Sequence, residues 1–300
     1  VGDACCGVGA RGEPVRFVGQ TNIVVWDKAH GIEHFVRDAR FATKSQDLGF
    51  IAPTPSRPTL SEASGAAFET LAALEPKPEF VPGQWGAVSD SAADIPTKGF
   101  VSVIDEADVA GYRATVLKAT DSRALGEWLT KNGYAKPRFL DGWVKPYLDR
   151  GWYLTAFKVK GGDGSATGPV RMSFQTKRPF NPYSVPEENG GARASLRLYY
   201  VSAGNEVPKI GGQSAWRSAE WSAPVVEETR AALASQLKLS PDQLPINASV
   251  TTYLDSEFGQ PGFDDLYFVE QSNLGATGGL GAAMLLLVAL RVRRRTTERA

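Results

Sequence analysis

The chain predicts an α+β fold of mostly antiparallel sheets with a few packed helices, followed by one C-terminal transmembrane helix. Three observations predict it. Short segments of strand character outnumber segments of helical period. The two kinds do not alternate regularly, as a doubly wound parallel sheet would require. An uncharged run near the C-terminus ends against a cluster of arginines. The 300 residues, 42% hydrophobic and 22% charged, suffice for one large or two small cores and exclude extended disorder.

Residues 14–18 and 21–26 read as strands, 27–31 as a turn and 32–41 as the returning strand of a hairpin. Residues 48–52 form another strand, whose exit through Pro53, Pro55 and Pro58 is held extended. Thr59 and Glu62 have the spacing of a capping box, ahead of a helix that buries Phe68, Leu71 and Leu74. Residues 75–98 are rich in proline and small residues without periodicity, which predicts a long loop, with one lobe or two divided by this loop both left open. Beyond it, 100–104 and 112–118 read as strands. A helix follows, capped by Asp121, packed through Leu125, Trp128 and Leu129, and stopped near Gly133. Pro137 suits the first turn of the next helix, in which Phe139, Leu140, Trp143, Val144, Tyr147 and Leu148 recur at helical spacing. Pro146 should kink that helix or split it. Strands follow at 152–159, 170–176, 195–202 and 248–255, with a helix over 225–237.

The formal net charge is zero, but the last ten residues hold five Arg and one Glu, leaving 28 basic and 32 acidic side chains in residues 1–290. A mildly acidic body argues against nucleic acid as a partner. No charge occurs from Leu274 to Leu290, and Arg291, Arg293, Arg294 and Arg295 follow at once. These seventeen residues, rising about 1.5 Å each, cover roughly 26 Å, and slight bilayer thinning or snorkelling completes the span. The positive-inside rule keeps the 291–300 tail in the cytoplasm and places residues 1–270 outside, joined through a 271–273 linker. Gly275 and Gly279 form G-x-x-x-G, which offers either a helix-dimer contact or a small-residue face without a partner. A glycine pair, an apolar run and an arginine cluster also match bacterial sorting tails, in which case the anchor is cleaved and the domain released or transferred. Val1 in place of Met, with no charged and apolar leader before the first strand, is the expectation for a removed signal peptide.

The two cysteines, Cys5 and Cys6, are adjacent and cannot build a disulfide framework. A vicinal disulfide, an intermolecular bridge and two free thiols stay open. A thiol redox protein using Cys5 and Cys6 is one alternative function, although redox catalysis favours C-x-x-C at a helix start.

The two histidines both fall in His30-Gly31-Ile32-Glu33-His34, the H-x-x-E-H pattern of inverted zinc proteases. On a helix the histidines would share a face and reach one zinc, with Glu33 as base, so a zinc-dependent hydrolase using His30, Glu33 and His34 is the other alternative function. The local context predicts a strand instead. Strand alternation sends Glu33 and His34 to opposite faces, and a straight strand would part His30 from His34 by roughly 13 Å. The expectation is a turn histidine and a half-buried strand histidine, with no cofactor. No G-x-S-x-G elbow is present, and the glycine-rich 7–10 and 161–164 segments lack the Lys of a phosphate loop. Trp128, Tyr134, Trp143, Tyr147, Trp152 and Tyr153 have the spacing of core residues rather than of a stacking platform. Glu187-Glu188 and Asp264-Asp265 read as solvated loop charges, since a carboxylate pair cannot supply the six or more oxygens of a calcium site.

The string of motifs resembles a bacterial family, domain of unknown function 2330. The matching pieces are Cys5-Cys6-Gly7, Ile23-Val24-Val25-Trp26-Asp27, Glu33-His34-Phe35-Val36-Arg37, the stretch from Gly49 to Pro58, and Ala124-Leu125-Gly126-Glu127-Trp128-Leu129. Trp143-Val144-Lys145-Pro146-Tyr147, the stretch from Trp152 to Lys158, Arg178-Pro179-Phe180-Asn181-Pro182-Tyr183 and Asp264-Asp265-Leu266-Tyr267-Phe268 continue it. The resemblance implies a secreted or surface domain and brings no catalytic residue with it. The function expected is a membrane-anchored, extracytoplasmic binding or scaffold module of the cell envelope, non-enzymatic, with a surface protein or glycan as partner.

Overall fold

The computed structural model describes residues 6–8, 16–42, 49–76, 100–134, 140–160, 167–184, 195–256 and 264–271. Their β-structure falls into three sheets. In a five-stranded sheet the order is β1 (Cys6–Val8), β4 (Gly49–Thr54), β8 (Tyr153–Val159), β7 (Tyr112–Ala119) and β6 (Val101–Val109). A seven-stranded sheet runs β14 (Trp221–Pro224), β15 (Ser249–Asp255), β11 (Leu196–Ser202), β2 (Arg16–Asp27), β3 (Ile32–Ala42), β9 (Val170–Gln175) and β5 (Thr59–Glu62). A four-stranded sheet runs β10 (Phe180–Asn181), β16 (Leu266–Glu270), β12 (Glu206–Ile210) and β13 (Ser214–Ala215). The pairings are antiparallel apart from β2 with β11, which is parallel. The helices among these residues are α1 (Ala66–Ala72), α2 (Ser122–Lys131), α3 (Leu140–Asp149) and α4 (Glu227–Gln236). The class is α+β, as expected.

Alternation along the strands fixes what each face of the seven-stranded sheet meets. Ile23, Val25, Val36, Tyr199, Val201 and Val250 share one core with α1 and α4. The intervening residues Val24, Trp26, Phe35, Met172, Phe174, Leu198, Tyr200 and Tyr253 belong to the main core, with the other two sheets. Arg37 lies 4.6 Å over the Phe50 ring of the five-stranded sheet, and Tyr200 stacks on Phe268 of the four-stranded sheet at 3.8 Å. Both smaller sheets therefore cover the same face. On its far side the five-stranded sheet carries α2 and α3, with Lys158 donating to the Gly133 carbonyl at the end of α2. The polypeptide thus stacks helices, sheet, sheets and helices.

The hairpin of β2 and β3 forms where it was expected. The predicted break near residue 19 is a bulge between Phe17 and Gly19 inside one long strand. The turn needs Gly31, whose φ of +64° lies in the left-handed region. Asp121 caps α2 by accepting from the Ala124 amide at 2.9 Å, and Leu125 and Leu129 of that helix are fully buried.

One expectation is corrected and another is narrowed. Thr59 and Glu62 do not cap a helix. They lie in β5, paired with Ser173 and Val170 of β9, and α1 starts later from Gly65 without a side-chain cap. Glu62 instead accepts from the Ala110 amide at 3.0 Å. Of the two outcomes expected at Pro146, kink or split, the split does not occur, and α3 runs unbroken from Leu140 to Asp149; the lost hydrogen bond falls on the carbonyl of exposed Gly142. Across the 75–98 stretch β4 pairs with β8 and β5 with β9. The 274–290 run, the 291–300 tail, Cys5, Gly275 and Gly279 lie outside the described residues, as do most of 75–98 and Glu187-Glu188. Among the described residues no helix is long and apolar enough to cross a membrane.

Candidate functional site

The strand register decides the fate of the H-x-x-E-H segment. His30 stays in the turn, exposed, with Nδ1 2.6 Å from Asp27 Oδ2. Glu33 and His34 enter β3, both fully buried, on opposite faces. Glu33 faces the main core, where its Oε2 accepts from the Phe180 amide at 2.9 Å. His34 faces the helix-covered side, with Nδ1 2.8 Å from Ser173 Oγ. Its complete burial exceeds the half-burial expected. The three groups are not brought together, and among the described residues no set of three His, Cys, Asp or Glu is placed to hold a metal ion.

Burial moves both groups toward their neutral forms. Desolvation pushes the Glu33 carboxyl well above the usual range, against the smaller effect of the Phe180 amide. Desolvation and the Arg171 guanidinium lower His34 to about 4, with Asp27 opposing. Arg171 itself is fixed by donating to the Leu237 and Lys238 carbonyls at the end of α4, where a cation suits the helix terminus.

A denser polar assembly sits where α3, the four-stranded sheet and the edge of the main core meet. Segments far apart in sequence converge here as a run of rings: Trp143 and Tyr147 at 5.3 Å, Tyr147 and Trp152 at 5.5 Å, Trp152 and Phe180 at 5.0 Å, and Phe180 and Tyr267 at 6.0 Å. Trp143, Tyr147, Trp152 and Tyr134 are buried, and Trp128 and Tyr153 are half-buried, so the aromatic cluster is largely core as expected.

Asp265 anchors the junction, and the reading of Asp264-Asp265 as two solvated charges is corrected. Asp264 is exposed, but Asp265 is buried, and its Oδ1 accepts from Tyr147 Oη at 3.0 Å and from the amides of Tyr183 and Ser184 at 2.9 and 3.1 Å. Burial raises its carboxyl in spite of those donors. Tyr183 passes the connection on, donating at 2.6 Å to Asp255 Oδ2, while Arg217 donates at 3.0 Å to Asp255 Oδ1. Asn22 and Asn181 bridge the two sheets at 2.8 Å. These bonds tie α3, β2, β10, β15 and the start of β16 into one frame.

The accessible rim of that frame surrounds Tyr267. The Arg178 guanidinium lies 4.5 Å from its ring centre, and Arg150 Nη1 donates to its Oη at 3.0 Å. Lys209 is the direct cross-strand neighbour of Tyr267 and so projects from the same side of the sheet. Sequence reasoning did not find Arg150, Arg178, Asp255 or Tyr267 as a group. Arg178 and Tyr267 stood in quoted motifs, but no local signal says that those motifs meet.

The sequence profile of the family described as an uncharacterized protein conserved in bacteria, DUF2330, matches residues 2–228. The matched span ends before Asp264-Asp265-Leu266-Tyr267-Phe268, so that piece of the likeness lies outside it. No curated protein and no solved structure matches the chain.

Proposed function

The chain belongs to the bacterial family of domain of unknown function 2330, and we propose that it is a non-enzymatic binding module of the cell envelope. In this reading residues 1–270 lie outside the membrane and the run from Leu274 to Leu290 anchors them. The observation that carries the binding reading is the division of labour at the junction. Its buried carboxylates Asp255 and Asp265 hold fixed donors of the frame, whereas the exposed rim around Tyr267 presents the guanidinium groups of Arg150 and Arg178, with the Asp264 carboxylate at its edge. Such a frame holds the rim in place and leaves its guanidinium groups turned toward a partner. The uncharged run followed by arginines supports the anchor.

Two measurements test the reading. Fractionation of cells expressing the full chain should place it in the membrane fraction, resistant to alkaline carbonate and released by detergent. Recovery as a soluble cytoplasmic protein would overturn the envelope assignment. Metal content of the purified full chain, beside His34→Ala, should show no stoichiometric zinc in either. Zinc present in the parent and lost in the variant would favour the hydrolase alternative.

A further inference from the structure

We propose that Arg150, Arg178 and Tyr267 form a binding site for an oxyanion, a phosphate or carboxylate group carried by the ligand of this domain. The inference deepens the binding-module reading and rests on it only in taking the domain as a binder.

The two arginines keep most of their N–H groups unspent. Arg178 is exposed, and among the described residues none of its guanidinium N–H groups has a protein acceptor; its contact is the face of Tyr267. Arg150 is exposed and spends one N–H on Tyr267 Oη, with Trp152 5.6 Å from its guanidinium carbon. Tyr267 Oη accepts that bond, so its own hydrogen is available, and burial raises the phenol to about 12, keeping that hydrogen in place. Neither arginine has an ion-pair partner among the described residues. Asp264, the exposed acid next in the chain to Asp265, lies within ion-pair distance of neither. Lys209, projecting from the same side of the sheet as Tyr267, adds a third cation. The Asp264 and Asp265 carboxylates act on the same phenol, and Arg150 on Asp265, without forming an ion pair; the guanidinium N–H groups left over are complementary to an oxyanion, which accepts from several N–H and O–H groups at once.

The arginines are also held in position. Tyr267 sits on a strand between β10 and β12, and both guanidinium groups rest on it. The backbone of Gly212 closes in from the β12–β13 turn. A Cβ there would stand 2.8 Å from Arg178 Nη1, and its φ of +77° already favours glycine. Side chains ordered before binding lose less entropy when a ligand arrives, which is the usual advantage of a prepared site.

The test is a titration of the purified full chain, in a non-ionic detergent at constant ionic strength, with inorganic phosphate and separately with acetate, followed through the arginine Nε–H resonances. Saturable binding is expected, weakened about tenfold or more in the Arg150→Gln/Arg178→Gln double variant and to a lesser degree in Tyr267→Phe. Thermal unfolding of the variants, read alongside, should be nearly unchanged because both arginines are exposed. Tighter phosphate binding would assign a phosphoryl ligand and tighter acetate binding a carboxylate. Absence of saturable binding by either anion, or equal binding in the double variant, would overturn the site. Fractionation tests the anchor on its own, so either proposal can fail alone.

Discussion

Acidification should destabilise this protein through His34 before most carboxylates titrate. The imidazole is fully buried, bonded to Ser173 and faced by Arg171 from β9, with His30 and Asp27 at the adjoining turn. Its folded pKa is about 4 against 6.5 for the free side chain. Between those values the unfolded chain takes up a proton that the folded chain refuses, so stability is full above 6.5 and falls as the pH drops toward 4. Between pH 7 and pH 4 the difference corresponds to about 3 kcal/mol, or a folding constant roughly 100-fold smaller at pH 4. Urea unfolding at pH 7, 5.5 and 4.5, with the full chain compared to His34→Asn, isolates this contribution. Effects from Glu33, His30 and the other groups are common to both proteins and cancel in the difference. Parallel stability profiles for the two proteins, or a His34 ring resonance titrating near 6.5 in the folded state, would refute the reasoning.

Glu33 should act with the opposite sign. Its carboxyl is raised by burial, so its contribution is present below about 4.5 and lost as pH rises through the folded value; Glu33→Gln keeps an acceptor for the Phe180 amide and should gain on the parent in melting temperature between pH 5 and 8, a constant gap contradicting this. Asp121→Ala removes the cap of α2 and should cost about 1 kcal/mol, a fall of roughly 2–4 °C in Tm by calorimetry; an unchanged Tm would mean that packing of Leu125 and Leu129 alone fixes the helix.

Local signals made part of this fold legible. The β2–β3 hairpin announced itself through alternation and the Asp27–Gly31 turn, and α2 through its cap, its apolar spacing and Gly133. What stayed hidden depends on pairing between distant segments. Thr59 and Glu62 satisfy the capping-box pattern as written, yet cross-strand bonds to β9 claim them. Strands β10, β12, β13, β14 and β16 are short, two of them contain proline, and their patterns are too brief to register. Asp264 and Asp265 are chemically identical in sequence. Only the arrival of Tyr147, Tyr183 and Ser184 around one of them separates a solvated carboxylate from a buried one. The strand geometry of the H-x-x-E-H segment was readable, because one turn glycine decided it. The Arg150, Arg178 and Tyr267 rim was not, since its members come from the end of α3, the β9–β10 connection and β16.

The parallel pairing of β2 with β11 bears on how the chain reaches this state. Gln20 lies beside Leu196, so the middle strand of the largest sheet gains one neighbour at once and must wait for the other until most of the chain exists. Until then Ile23, Val24 and Val25 form an apolar strand with an open edge, the kind of surface on which incomplete chains associate. Closure over such a distance slows folding. The matched family span ends at residue 228, inside α4 and before β15 and β16. The cooperative folding unit is therefore longer than the profile's boundary, and the N-terminal half lacks β11 and β15 of its own largest sheet.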